Sequence, residues 1–300
     1  MNADQQYYEN VLRAGSGIIT IMVLRKDGGK SIFHCRDADK IRQCIEENRN
    51  NGNIYVSLNP FRADIPSGLK GGDDDVVGLN AIVADCDIFG PAHAEKNLPK
   101  DSETVHELLE AFPKPTYYID SGYGLYAVWA FKETIPMEAE TDRQAVFGIY
   151  RGLGRALISA FAGKSYKLDN VFCPSHLFRI PGSLNFKLNN PVECRISEYS
   201  GIFYTLDDFR QYYEEPVQEH EPFEVDDRCI GSADRIAEHC AFILKLQDDP
   251  EAVTEPEWKA MCDNIVLAED GQEKFHGWSS LYSNYSYEET EYKIRRSLAA

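Results

Sequence analysis

Apolar and polar positions switch between two periods along the first two thirds of the chain. Residues two apart share a strand face, and residues three or four apart share a helix face. Residues 18–24 and 53–58 are β-rich runs, and between them residues 37–48 place Ile41, Cys44 and Ile45 at helical spacing. Residues 78–88 form the most buried-looking strand and end in acids. A helix is predicted from about Ser102, with Val105, Leu108, Leu109 and Phe112 on one face, a cap at Asp101 or Ser102, and an end before Pro113. Residues 116–119 and 125–131 are aromatic and β-branched, and Asp120-Ser121-Gly122-Tyr123-Gly124 between them predicts a hairpin. A long helix over 137–161 and short strands at 176–180 and 192–197 follow.

From Asp207 to Asp227 acids accumulate around Pro216 and Pro222, which predicts a linker over 207–231. Beyond it only helical periods occur, so an α/β module over 1–206 is expected to precede a small helical module over 232–300. No repeat of fixed period is present.

Composition narrows the class. The chain is 43% apolar and 12% aromatic, which excludes disorder, and no apolar run approaches the roughly 20 residues that span a bilayer. No charged segment followed by a long apolar one opens the chain, so a cytoplasmic protein is expected. The 8 cysteines contain no CxxC pair and are expected to be reduced thiols. A net charge of −18 excludes a protein that coats nucleic acid through a general basic surface. Any contact with nucleic acid is expected to be local or shared with metal ions.

Three constellations carry chemistry. In Ile82-Val83-Ala84-Asp85-Cys86-Asp87-Ile88, Asp85 and Asp87 would project from one strand face and repel unless a cation lies between them. Mg²⁺ or Mn²⁺ suits such oxygen ligands, and two ions would activate a primer hydroxyl and stabilise a leaving phosphate. A second Asp-x-Asp lies in Asp73-Asp74-Asp75 beside Gly71 and Gly72, and reads as a solvated turn. In Ser121-Gly122-Tyr123-Gly124-Leu125-Tyr126, the glycines would let backbone N–H groups approach a triphosphate, with Ser121 as an added donor; a plain hairpin turn explains the same residues. In Arg179-Ile180-Pro181-Gly182-Ser183-Leu184-Asn185-Phe186-Lys187, two cations and an amide would meet phosphate oxygens. Asp169 just upstream would add a third carboxylate, or is a surface acid.

Taken in this order, the three pieces resemble the archaeo-eukaryotic primase superfamily, in particular the primase-polymerases of plasmids, phages and other mobile elements. The run Tyr55-Val56-Ser57-Leu58-Asn59-Pro60 is similar to the segment before the first motif. Two positions depart from the family pattern: Tyr126 stands where a His is usual, and Cys173 or a neighbour where many relatives have an Asp. Glu255-Pro256-Glu257-Trp258, Asp270-Gly271, Phe275-His276, Ser279, Tyr285 and Glu289-Thr290 with Lys293 look like the helical domain that follows the catalytic domain in many such primases.

The resemblance implies an α+β fold, with an antiparallel sheet like that of the RNA-recognition motif flanked by helices, followed by an all-α domain. It implies a metal-dependent nucleotidyltransferase that makes primers on single-stranded DNA from NTPs or dNTPs and extends them. Asp85, Asp87 and Asp169 would bind two divalent ions. Ser121, Gly122, Gly124, Tyr126, Arg179, Asn185 and Lys187 would hold the nucleotide. A helicase is an implied partner, in the same chain or separate, although no Gly-x-x-x-x-Gly-Lys-Ser/Thr loop occurs here. Two other readings stay open: a non-catalytic nucleotide- or origin-DNA-binding module of the same shape, and a nuclease built on the same Asp pair.

Other residues have plainer readings. Cys229, His239, Cys240, Cys262 and His276 fit no zinc spacing, and Cys240 is expected in the helical core. Trp258 and Tyr285 are expected to pack that core too. Arg151, Arg155, Lys164, Lys167, Lys293, Arg295 and Arg296 are the local cations available to a template, or solvated faces.

Overall fold

The computed structural model describes residues 3–215, 231–283 and 285–299, and the chain divides into two units, residues 1–217 and 218–300. The first opens with helix α1 (Ala3–Val11), then strands β1 (Ile19–Arg25) and β2 (Lys30–Cys35), helix α2 (Ala38–Asn48) and strand β3 (Gly52–Ser57). β4 (Gly78–Asp87), α3 (Ser102–Leu109), β5 (Tyr117–Asp120), β6 (Gly124–Pro136) and α4 (Glu140–Ala162) follow. Short strands β7 (Leu177–Arg179), β8 (Leu184–Asn185), β9 (Val192–Glu193) and β10 (Arg195–Tyr199) complete it. Two four-stranded sheets result, ordered β2-β1-β3-β7 and β10-β5-β6-β4, and every named pair is antiparallel.

The second sheet is buried on both faces, which is why residues 78–84 read as an unbroken apolar run rather than an alternation. One face of β4 and β6 carries Ile82, Ala84, Cys86, Leu125 and Trp129 into a core with α3 and α4. The other carries Ala81, Val83, Tyr126 and Val128 into a core with β1, β3, α1 and α2. Asp85 and Asp87 continue this second face by the two-residue strand period. The expected mixed fold is what the structure shows.

Asn59, four-hundredths exposed in the stretch after β3, ties several elements together. Its Oδ1 accepts from Asn80 N at 2.8 Å and Ala81 N at 3.1 Å, and its Nδ2 donates to Pro174 O at 3.0 Å and the Tyr150 hydroxyl at 3.2 Å. A fully satisfied buried amide of this kind rigidifies the core around it.

Several elements were not predicted. α1 begins in polar residues yet buries Tyr7, Tyr8 and Val11. β2 has no buried residue and holds its place through its ladder to β1. Asp73–Asp75 is not a solvated turn but a 3-10 turn in which Asp75 is buried, accepts from Gly72 N at 2.7 Å and pairs with Arg62 at 3.1 Å.

The linker was expected to begin at Asp207. Instead Leu206–Tyr212 is a 3-10 helix of the first unit, with Phe209 buried against Phe131 and Tyr204. The chain then crosses α4 so closely that a Cβ on Gly152 would lie 1.7 Å from Tyr212 O, and one on Gly148 2.4 Å from the Tyr213 ring. Residues 216–230, with Pro216, Pro222 and most of the expected linker acids, lie outside the described residues, as does Cys229. Every described cysteine is a free thiol.

The second unit contains α5 (Ala233–Ala237), α6 (Ala241–Asp248), α7 (Glu255–Ile265), α8 (Gly271–Ser279) and α9 (Tyr287–Ala299). Ile243, Leu246, Met261, Cys262, Ile265, Phe275 and Ile294 form its core, with Trp258 and Cys240 packed against it. Trp258 stacks on Phe275 at 5.5 Å and donates to Ser279 Oγ at 2.9 Å. Tyr285 sits at the edge, its hydroxyl 2.8 Å from His276.

Candidate active site

β4 delivers two carboxylates to one place. Asp85 lies opposite Tyr126, and Asp87 opposite Gly124, in the ladder with β6. Burial pushes the Asp85 carboxyl up to about 7, helped by the negative charges of Asp87 and Asp169; Arg179 and Lys187 pull the other way. Asp87 is also raised, first by burial and then by Asp169, against the opposing pull of His93, Lys187 and Arg179. Residues from the first and third sequence motifs therefore share one electrostatic environment.

The hairpin between β5 and β6 is present, but most of its polar groups are occupied within the fold. Ser121 N donates to Gly124 O at 2.9 Å, Ser121 Oγ donates to the same oxygen at 3.1 Å, and Gly122 N donates to Asp120 Oδ1 at 2.9 Å. Gly122 has φ +99°, and a Cβ there would lie 3.2 Å from Val192 and 3.3 Å from Asn185, so both conformation and space require glycine. Gly124 is close-packed as well, with its would-be Cβ 3.0 Å from Cys86 O.

Asn185 is buried and structural: its Nδ2 donates to Ser121 O at 2.8 Å, and its Oδ1 accepts from Lys187 N at 3.0 Å. It clasps the hairpin to the loop that carries Lys187. Tyr126 is 3% exposed and packs edge-on against Phe178 at 5.5 Å. Burial, and after it the Asp85 charge, raise its phenol well above the ordinary range.

Arg179 lies on β7 opposite Tyr55. Its Nη2 donates to the Tyr55 hydroxyl at 2.7 Å and Asn53 Oδ1 at 3.0 Å, its guanidinium sits 4.7 Å above the Tyr55 ring, and its buried Nε makes no hydrogen bond. Lys187 is exposed, and its ammonium reaches the carboxylates' field. Asp169 is exposed and pairs with Lys167 at 3.5 Å; its charge raises both Asp85 and Asp87.

His93 was missed by the sequence reading. It stands in the polar stretch between β4 and α3, with Nδ1 3.0 Å from Asp87 Oδ2 and 3.2 Å from Lys187 Nζ, and Nε2 3.1 Å from Tyr123 O. Its one sequence signal is a histidine six positions after Asp87. The cations named as template contacts are largely engaged by acids: Arg155 with Glu214, Lys167 with Glu95, Lys293 with Glu289 and Arg295 with Glu291.

The donor set fits a hard divalent ion. Two carboxylates share a strand face, and burial first, with the charge of neighbouring acids after it, raises their affinity for a proton, an environment in which a bound cation would be favourable. Among the described residues no three His, Cys, Asp or Glu side chains close into a metal cage; Asp85 and Asp87 are the two carboxylates that could hold an ion here, with the charge of Asp169 nearby.

No family model matches the chain. A replication protein of Clostridium perfringens is 26% identical over 221 residues, covering 73% of this chain and 48% of the relative, so the chain spans about half the length of that curated protein. Among solved structures, the AEP domain of the cyanophage S-2L primase-polymerase is 14% identical with a TM-score of 0.47, over 70% of this chain and 97% of that one. The primase RepB′ is 14% identical with a TM-score of 0.41, over 98% of this chain and 94% of that one. The catalytic domain of RepB′ in complex with initiator DNA is 16% identical with a TM-score of 0.42, over 70% and 94% respectively. The chain's structural neighbours are thus primase domains, and its curated relative is a replication protein.

Proposed function

We propose that the chain is a template-directed nucleotidyltransferase of replication: a primase that assembles primers on single-stranded DNA from NTPs or dNTPs and extends them. The observation that supports this best is the meeting of Asp85 and Asp87 with Arg179 and Lys187, drawn from motifs almost a hundred residues apart, in one electrostatic environment. The similarity to a replication protein supports the same reading.

In this reading Asp85 and Asp87 hold the divalent ions, Mg²⁺ or Mn²⁺, with Asp169 as the third acid. Such ions, when bound, activate an attacking hydroxyl and offset charge on the leaving phosphate. The chain's own residues do the rest by placement and charge. Arg179, braced by Asn53 and Tyr55, and Lys187, with its exposed ammonium, supply positive charge for phosphate oxygens. Asn185, Ser121, Gly122 and Gly124 act on the nucleotide by keeping the hairpin and the Lys187 loop together. Tyr126 forms the floor of the site.

Incorporation of labelled nucleotides on primer-free single-stranded DNA, with Mg²⁺ or Mn²⁺, tests this. Short products from the unaltered chain and none from Asp85→Ala, Asp87→Ala support it. A second reading, a nucleotide-binding module without catalysis, is favoured by the buried Tyr126 and the internally bonded hairpin. Nucleotide binding without product on any template, and independent of divalent ions, would establish that reading instead.

A further inference from the structure

We propose that single-stranded DNA reaches the candidate site across the open end of the sheet β2-β1-β3-β7, with phosphates at Lys26, Lys30 and Lys187 and a base stacked on Phe186; this rests on the template-directed reading above. Residues directly opposite in an antiparallel ladder share a face. The register therefore fixes two rows across this sheet: Arg179, Tyr55, Met22 and Ile32 form one, and Asn53, Leu24 and Lys30 the next. The reverse face, with Ile21, Val23, Ile54, Val56 and Phe178, is buried in a core. On the front, Tyr55 and Met22 are partly buried against the other core, whereas Leu24 is 38% exposed and Lys30 is exposed.

Asn53 joins this open end to the site. Its Oδ1 accepts from Arg179 Nη2 at 3.0 Å and from Phe186 N at 2.9 Å, and the Arg179 charge acts on Asp85. Lys26 is anchored by its backbone N–H, which donates to Asn51 O at 3.1 Å, and places its ammonium 4.2 Å from the centre of the Phe186 ring. Phe186 is half-buried yet packs into none of the three hydrophobic cores. Two acids of the adjoining segments are already engaged, Asp27 by Arg25 at 3.3 Å and Glu193 by Arg49. Among the described residues Lys26, Lys30 and Lys187 form no salt bridge. In a chain of net charge −18, cations gathered around an aromatic ring make a local surface suited to a single strand: ammonium groups meet phosphates, and a π face takes a base of any sequence. An acidic protein would use the charges but not the ring.

The test is binding of labelled oligothymidylate, read by fluorescence anisotropy over a range of salt, to the full chain and to Lys26→Ala, Lys30→Ala, Phe186→Ala, Phe186→Leu and Phe186→Tyr. Each lysine variant is expected to weaken binding at low salt and to reduce the slope of log affinity against log salt by about 0.7, the loss of one phosphate contact. Phe186→Ala and Phe186→Leu are expected to weaken binding by about five- to a hundredfold with the slope unchanged, the scale of one base–aromatic stack. Leucine keeps the apolar bulk, so a loss it shares with alanine belongs to the ring's π face rather than to packing. Phe186→Tyr keeps that face and is expected to retain binding, and melting temperatures check that each variant folds.

Unchanged affinity and slope in the lysine variants, or full binding by Phe186→Leu, overturn the proposal. So does polyglutamate binding that matches oligothymidylate and ignores Phe186, which would mark a surface for an acidic protein. DNA binding that depends on these residues in a chain that makes no primer overturns the primase reading alone. Primer synthesis with DNA binding indifferent to every variant overturns the strand path alone. A chain that neither binds oligothymidylate nor makes primer overturns both.

Discussion

Asp85 and Glu257 are both partly buried acids, one in each unit, and they are treated in opposite ways. Glu257 accepts from Lys245 Nζ at 2.8 Å and from Thr254 N and Oγ1 at 2.8 Å, closing a capping box at the start of α7. These bonds, the lysine's first, lower its carboxyl to about 2. Asp85 is burdened by burial and by two neighbouring acids, which raise it to about 7. The helical unit supplies every partner its acid needs, so that carboxylate stabilises the fold. The sheet unit buries its acid beside two others, so that carboxylate holds its proton more tightly than a free one. That contrast separates a structural acid from a candidate functional one more sharply than sequence context does.

The largest expected effect comes from removing the site acids. Asp85→Ala, Asp87→Ala is expected to lower nucleotide incorporation by about a thousandfold or more, the scale for losing charge stabilisation at a reacting phosphate. Glu257→Ala is expected to leave incorporation within about twofold, as the loss of one helix cap in the other unit would. Equal losses from both would erase the contrast.

Asn59 provides a stability test within the sheet unit. Asn59→Leu would leave the amides of Asn80 and Ala81 and the Pro174 carbonyl buried without this partner. A loss of about 2–4 kcal/mol in denaturant unfolding is expected, since each orphaned group costs on the order of 1–3 kcal/mol.

Asp85→Asn is expected to do the reverse in metal-free protein. The folded carboxyl titrates near 7 and the unfolded one near 3.8. The folded state therefore binds the proton more tightly, and stability falls as pH rises through that window. The amide escapes this loss. A gain of about 1–3 kcal/mol is expected at pH 8, allowing for partial solvent access, shrinking to nothing near pH 4. A destabilised Asp85→Asn variant at pH 8 in the presence of a chelator would show that the acid is satisfied after all.

The smallest effect is expected at Glu257→Gln, with the opposite sign. Its folded carboxyl lies below the ordinary 4.5, so the stability it contributes is present above that value and is lost as pH falls toward 2. The variant is expected to melt lower than the parent at pH 7 and to converge with it near pH 2.

Much of this was legible because period and motif order are local. Residues 78–88 read as a buried strand, Asp101 or Ser102 as a helix cap and residues 120–124 as a hairpin turn; strand and turn are found there, and the cap is Asp101. What escaped depends on contacts distant in sequence. β2 exposes its side chains and shows little apolar signal, and α1 hides Tyr7 and Tyr8 behind polar residues. The stretch from Asp207 looked like the start of an acidic linker because its acids face solvent, while Phe209 is buried and Leu206 and Tyr212 pack against the same core. The hairpin read as a phosphate cradle or a plain turn, since a sequence cannot tell whether Ser121 Oγ and the Gly122 amide already have partners.

The sequence by itself determined the elements that bear the chemistry and their order, because strand and helix periods and the Asp85, Asp87, Arg179 and Lys187 positions are properties of short segments. Only the tertiary structure decided which of those residues share a charge environment, that Asn185 is a clasp and Tyr126 a floor, and that His93 belongs beside Asp87 and Lys187. The physical reason is range: backbone periodicity acts over a few residues, whereas burial, hydrogen-bond partnership and electrostatic strain arise between segments that meet only when the sheets pack.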